Sequence, residues 1–211
     1  MSGTQRRVLL VIDVQNEYVT GKLRVEYPDI SKSIEKIGLA IDTAVANSIP
    51  VVAVQTVMPA GAPIFADGSH GAALHEVVAS RMQNHYIRKP LPSCFAETGL
   101  AEWLHERHID TVTICGFMTH NCDFATVSDA MHLGYSVEFL SDASGSVPYE
   151  NRAGAASAEE LHRAFCVVMQ SRFANVLTVG EWNSGLASAD MPARDTIFAS
   201  NQRAVKSVAS R

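Results

Sequence analysis

Cys115-Gly116-Phe117-Met118-Thr119-His120-Asn121-Cys122-Asp123 stands between two segments of different period. Before it runs the apolar stretch 112–114, as in a strand buried on both faces. After it, 124–133 carries a helical pattern. A strand that hands over to a helix through a short turn is the building unit of α/β folds. Cys122 then falls at the helix N-terminus, where unpaired N–H groups and the helix dipole favour a thiolate. The same N–H groups suit a developing oxyanion. One cysteine is thus placed to be a nucleophile and to supply part of its own oxyanion hole, which is the equipment of a hydrolase.

Working outward, strand and helix signals alternate along the chain. Runs at 8–12, 51–54, 85–88, 112–115, 136–140 and 175–179 read as strands. Between them, Ile30, Ile34, Ile37, Ile41 and Val45 recur at helical spacing, and 98–107 and 124–133 read as further helices. Ser157 and Glu160 form a capping-box signature for a helix that runs to Phe173. Six strands with crossover helices predict one three-layer α/β/α domain over 1–187, with a mostly parallel, Rossmann-like sheet. The polar tail 188–211, with a weak apolar pattern at Ile197, Ala204 and Val208, reads as a surface or subunit-bridging helix or a frayed end. The Gly-, Ala- and Pro-rich loop 59–71 exceeds what a connection needs and is expected at the site.

Composition narrows the function classes. With 211 residues and a net charge of -5, the chain has no basic stripe for phosphates, so no nucleic-acid partner is expected. No stretch approaches membrane-spanning length, and the five apolar residues after Arg6-Arg7 are too few for an export signal. The expectation is a cytoplasmic enzyme. Cys94, Cys115, Cys122 and Cys166 lack metal-finger or C-x-x-C spacing and are expected as free thiols.

In parallel sheets, ligands bind beyond the carboxyl ends of the strands. Asp13 follows the first predicted strand, Lys89 the third, and Cys122 lies just past the fourth. Each has a plainer reading: a loop-capping aspartate, one half of a solvated Arg88-Lys89 pair, a packing cysteine. Together at one edge they supply a thiol, a carboxyl to carry its proton, and a cation to organise charge.

Three segments bear a family resemblance. Val11-Ile12-Asp13-Val14-Gln15-Asn16, Lys89-Pro90-Leu91-Pro92-Ser93-Cys94-Phe95 and Gly116-Phe117-Met118-Thr119-His120-Asn121-Cys122 resemble, in order, the aspartate, lysine and nucleophile motifs of the isochorismatase-like cysteine hydrolases. The resemblance implies that fold, with Cys122 as nucleophile, Asp13 as acid/base and Lys89 as the charge-organising partner. It also implies a cis peptide between Phe117 and Met118, with the Met118 and Cys122 N–H groups forming the oxyanion hole. Gln15, Tyr18, Phe65 and His120 are the tentative pocket residues, and a homodimer or homotetramer is expected.

Departures refine the chemistry. Isochorismatases proper cleave a vinyl ether and usually lack the cysteine, so Cys122 favours a small amide or N-carbamoyl substrate cleaved through a thioester. Nicotinamidases of this fold carry a metal site with Asp-x-His after the second strand; here Gln55-Thr56-Val57-Met58 has no histidine, and His70 and His75 sit in the wrong context. Neither metal nor cofactor is therefore expected. Three rivals remain: an ether hydrolase of the same fold, a non-catalytic ligand-binding oligomer, and a redox thiol with Cys94 or Cys115 as resolving partner.

Overall fold

In the computed structural model, which describes residues 5–209, β1 (Arg7–Ile12) runs through the middle of the sheet. Val8 to Ile12 are essentially inaccessible on both faces, which is why the segment is continuously apolar rather than alternating. β2 (Val51–Thr56) and β3 (His85–Lys89) extend the sheet to one side of it. β4 (Thr111–Phe117), β5 (Ser136–Gly145) and a short last strand, Asn175–Leu177, extend it to the other. All five pairings in this six-stranded sheet are parallel.

Alternate residues of each strand feed two cores. On one face Leu9, Val11, Val51 and Ala53 pack with Ile37 and Ile41 of α1 (Ile30–Ala46) and with Trp182. On the other, Leu10, Ile12, Val112 and Ile114 pack with helices that include Leu100, Leu104 and Val127. These helices are α3 (Leu100–Glu106) and α4 (Phe124–His132). The short α2 (Glu76–Ala79) sits in the connection before β3. Asp29 starts α1 by accepting from the N–H groups of Ser31 and Lys32.

The expected capping box at Ser157 and Glu160 opens α5 (Ala158–Val168). The helix then widens into a looser turn over Met169–Phe173. Three features differ from the sequence reading. β5 runs five residues past the expected end at Leu140, and beyond it the antiparallel strands β6 (Tyr149–Asn151) and β7 (Gly154–Ala156) form a hairpin. The last strand, β8, stops at Leu177 because Thr178 and Glu181 make a second capping box that starts α6 (Val179–Ser188). Of the readings offered for the tail, the helix is the one seen: α7 (Ile197–Ala209), seated on Met169–Phe173 with Ile197, Phe198 and Val205 exposed. Among the described residues no helix is long and apolar enough to cross a membrane.

β1 lies between β2 and β4, so the chain direction across the sheet switches there. The crevice beyond their carboxyl ends is the expected ligand position. The strands approach most closely at Gly116, where φ is +123° and a Cβ would fall 2.0 Å from the Ile12 carbonyl oxygen. Only glycine lets the nucleophile segment pass this close to the residue before Asp13.

Candidate active site

Asp13 is the first residue past β1, in a left-handed conformation with φ 52° that carries its carboxyl into the crevice mouth. Lys89 closes β3, two strands away, and its side chain crosses beneath β2 to reach Asp13. Lys89 Nζ lies 2.8 Å from Asp13 Oδ2. It also donates to Cys122 Sγ at 3.2 Å and to the Leu91 carbonyl at 3.2 Å. All three predicted groups therefore meet at one point.

A fourth group completes the floor. Thr56, the last residue of β2 and the register partner of Lys89, accepts from Lys89 Nζ at 2.9 Å and donates to Asp13 Oδ2 at 2.9 Å. The sequence reading did not single out Thr56, although it ends a strand at the same edge as the other three.

Cys122 sits in a wide turn, Thr119–Asp123, between β4 and α4. The turn closes with Asp123 N–H donating to Met118 O at 3.2 Å, and Asn121 N–H donates to the same oxygen at 2.9 Å. Among the described residues the Met118 N–H, which lies outside helix and strand, donates to no backbone carbonyl. The Phe117–Met118 peptide is cis.

Electrostatics correct one expectation. The helix N-terminus was expected to favour a thiolate, but burial and the neighbouring Asp13 charge raise the Cys122 thiol above its ordinary value, against the opposing pull of Lys89. Burial draws the lysine down and the adjacent Asp13 charge raises it, with the net shift upward, so it stays an ammonium. One buried cation balances one buried anion; a second anion would leave the pocket with uncompensated charge. The resting site is a thiol beside an ion pair. Behind it lies Asp123, fully buried, with neither carboxyl oxygen partnered among the described residues. Burial and then Asp13 hold its carboxyl well above the usual range, as a neutral acid.

A cavity of ≈ 280 Å³ opens above Cys122. Tyr18, Phe65, Ile64 and Leu23 form one wall, Pro90, Leu91 and Pro92 another, with Met118, Asn121 and Tyr149 completing it. Tyr18 and Phe65 pack with ring centroids 5.2 Å apart, so loop 59–71 contributes to the cavity wall through Ile64 and Phe65. Gln15 does not line the cavity; its amide donates to Thr56 O and Ala72 O and accepts from Thr56 N, which ties the strand edge to the loop. His120 stands behind Tyr149, edge to face at 4.8 Å, with Nδ1 3.0 Å from Ser146 Oγ. Burial lowers its pKa to about 4, so it is a neutral ring.

The segment where nicotinamidases of this fold hold a metal does not fit one. Gln55 donates to Ala72 O and accepts from Tyr86. Among the described residues no group of three or more His, Cys, Asp or Glu side chains is arranged to hold an ion.

Comparison with known proteins agrees with the geometry. A Burkholderia xenovorans LB400 protein assigned as an isochorismatase is 56% identical, with a TM-score of 0.95 over 98% of this chain and 100% of that one. A secreted isochorismatase effector, Isc1, of Verticillium dahliae is 31% identical over 68% of this chain and 75% of its own length. The nicotinamidase of Escherichia coli K12 is 25% identical over 83% of this chain and 96% of its own. The isochorismatase domain family matches residues 7–181, and with a cysteine held by a lysine in the switch-point crevice, the chain belongs to the isochorismatase-like hydrolases.

Proposed function

We propose that the protein is a metal-independent amidohydrolase that cleaves a small amide or N-carbamoyl C–N bond through a covalent Cys122 intermediate. The observation that carries this reading is Lys89 Nζ bridging Asp13 Oδ2 and Cys122 Sγ, with Cys122 lining the cavity. Similarity to a nicotinamidase, itself an amide hydrolase, supports the same bond class.

Asp13 Oδ1 is buried and has no hydrogen-bond partner, so it is free to take the thiol proton as sulfur attacks the carbonyl carbon. The carbonyl oxygen becomes an oxyanion that the Met118 and Cys122 N–H groups receive. Collapse breaks the C–N bond, and Asp13 returns the proton to the departing amine. Water then loses a proton to Asp13 and attacks the thioester, or the thiocarbamate of a ureido substrate. The thiol leaves with that proton, and the acid or carbamate is released. Lys89 keeps its charge throughout and fixes the carboxyl relative to the sulfur.

The test is a panel of small amides and ureas with intact-protein mass spectrometry on quenched reactions. A mass shift localised to Cys122, with turnover falling at least about a thousandfold in Cys122→Ala, supports the reading. Amide cleavage that survives Cys122→Ala would overturn the covalent cysteine route.

A further inference from the structure

Past the ends of β4 and β5, the pairing between these strands continues through side chains. Phe117 is the register partner of Gly145, and the next steps are Thr119 Oγ1 donating to Gly145 O at 3.2 Å and His120 Nδ1 meeting Ser146 Oγ at 3.0 Å. Thr119 is the first residue of the turn that carries Cys122, and it follows directly on the Met118 N–H. A third element reaches in from the opposite side. His162 of α5 is nearly inaccessible, and its Nδ1 lies 2.9 Å from Thr119 Oγ1.

The tautomer follows from the partners. Thr119 uses its one hydroxyl proton on Gly145 O, so it can only accept from His162, and Nδ1 must carry a hydrogen. Nε2 is then the bare nitrogen, and it faces Cys166 Sγ at 3.6 Å, which supplies an S–H. Both ring nitrogens are thereby partnered in the neutral form.

We propose that His162 is a positioning residue for the nucleophile turn: by donating from Nδ1 to Thr119, it holds the Met118–Cys122 segment in the orientation that presents the Met118 and Cys122 N–H groups to the cavity. This rests on the cysteine-hydrolase reading of the site. His162 touches no reacting atom, and nothing in the mechanism above uses it. Beyond Thr119 and Cys166, the ionisable groups around it are Tyr27, whose ring meets it at 5.5 Å, and His120, whose charge would oppose its own.

Two measurements decide it. Histidine-selective 15N NMR on the intact chain reads the tautomer without any substrate. A protonated Nδ1 and a bare Nε2 are expected, and an Nε2–H form overturns the proposal. The second is hydrolysis of p-nitrophenyl acetate by His162→Asn, His162→Leu and Thr119→Val, each shown to be folded by its melting transition. Asparagine keeps an N–H where Nδ1 stands. We expect kcat to fall ten- to a hundredfold in His162→Leu and Thr119→Val with KM within about threefold, no further loss in the double variant, and recovery of most of kcat in His162→Asn. Equal loss in the Asn and Leu variants, or additive losses in the double variant, overturns it. A wild-type protein that shows the Nδ1–H tautomer but no acyl-enzyme would instead count against the hydrolase reading and leave the clamp geometry standing.

Discussion

Lys89 Nζ and Asp13 Oδ2 meet at 2.8 Å with both side chains wholly withdrawn from solvent. Such a pair adds little net stability, because desolvating two charges costs about as much as their attraction returns. Removing one partner is different, since the other is left as an unpaired buried charge. Lys89→Met should therefore lower unfolding free energy in urea by about 3–5 kcal/mol and abolish turnover. Adding Asp13→Leu should restore much of the stability and none of the activity. A Lys89→Met protein as stable as wild type would show that the pair is not formed.

The raised Cys122 thiol makes a kinetic prediction of definite sign. A group whose pKa lies above the ordinary thiol value is protonated through the neutral range and gains thiolate only as pH rises. Alkylation of Cys122 by iodoacetamide, located by peptide mass spectrometry, should keep climbing beyond pH 8.5 with no plateau at acid pH. A rate already flat from pH 6 would mean a resting thiolate and remove the need for Asp13 as base. Cys94 and Cys166, each pushed up to about 12 with burial as the largest cause, serve as internal controls.

The cavity lining also selects by charge. Apart from the floor groups, its side chains are neutral, and the three N–H bonds of Lys89 already face four acceptors. A substrate carboxylate would enter beside Asp13 without a counter-charge. Neutral amides and alkyl ureas should thus exceed carboxylated analogues of equal size by at least about tenfold in kcat/KM, a difference of about 1.4 kcal/mol. Leu91, on the cavity wall and 43% exposed, can carry a cation to the rim. Leu91→Arg should narrow the gap; a wild-type preference for the carboxylated member of each pair would refute the idea.

Much of this site is legible in the sequence because it is built from strand ends. Asp13, Lys89 and Cys122 are each fixed by a position relative to an apolar run, and a parallel sheet brings such positions to one edge. Thr56 obeys the same rule, yet a lone threonine carries no chemical signal. Gln15 carries a motif signal and a backbone-bracing geometry, which motif reading cannot distinguish from ligand contact. His162 was hidden for another reason: its partner, Thr119, is 43 residues away, and only the crossing of α5 over the end of β4 joins them. The resting charge of Cys122 was misread because helix-terminus arguments are local, whereas burial and a second carboxylate act through space.

Burial of His162 also sets a limit on the acid side. Desolvation, helped by His120, lowers its pKa to about 4, against about 6.5 in an unfolded chain. Above pH 6.5 the ring is neutral in both states and costs nothing. As pH falls from 6.5 towards 4, the unfolded chain binds a proton that the folded one refuses, so stability declines by up to about 1.4 kcal/mol per pH unit from this group. The comparison to make is the change in urea unfolding free energy between pH 7 and pH 5, in wild type and in His162→Asn. Lost clamp contacts shift the variant equally at both values and cancel in the difference. The wild-type decline should exceed the variant's by about 1–2 kcal/mol. Parallel declines would place His162 in contact with water or with an acid, and the buried neutral ring would not exist.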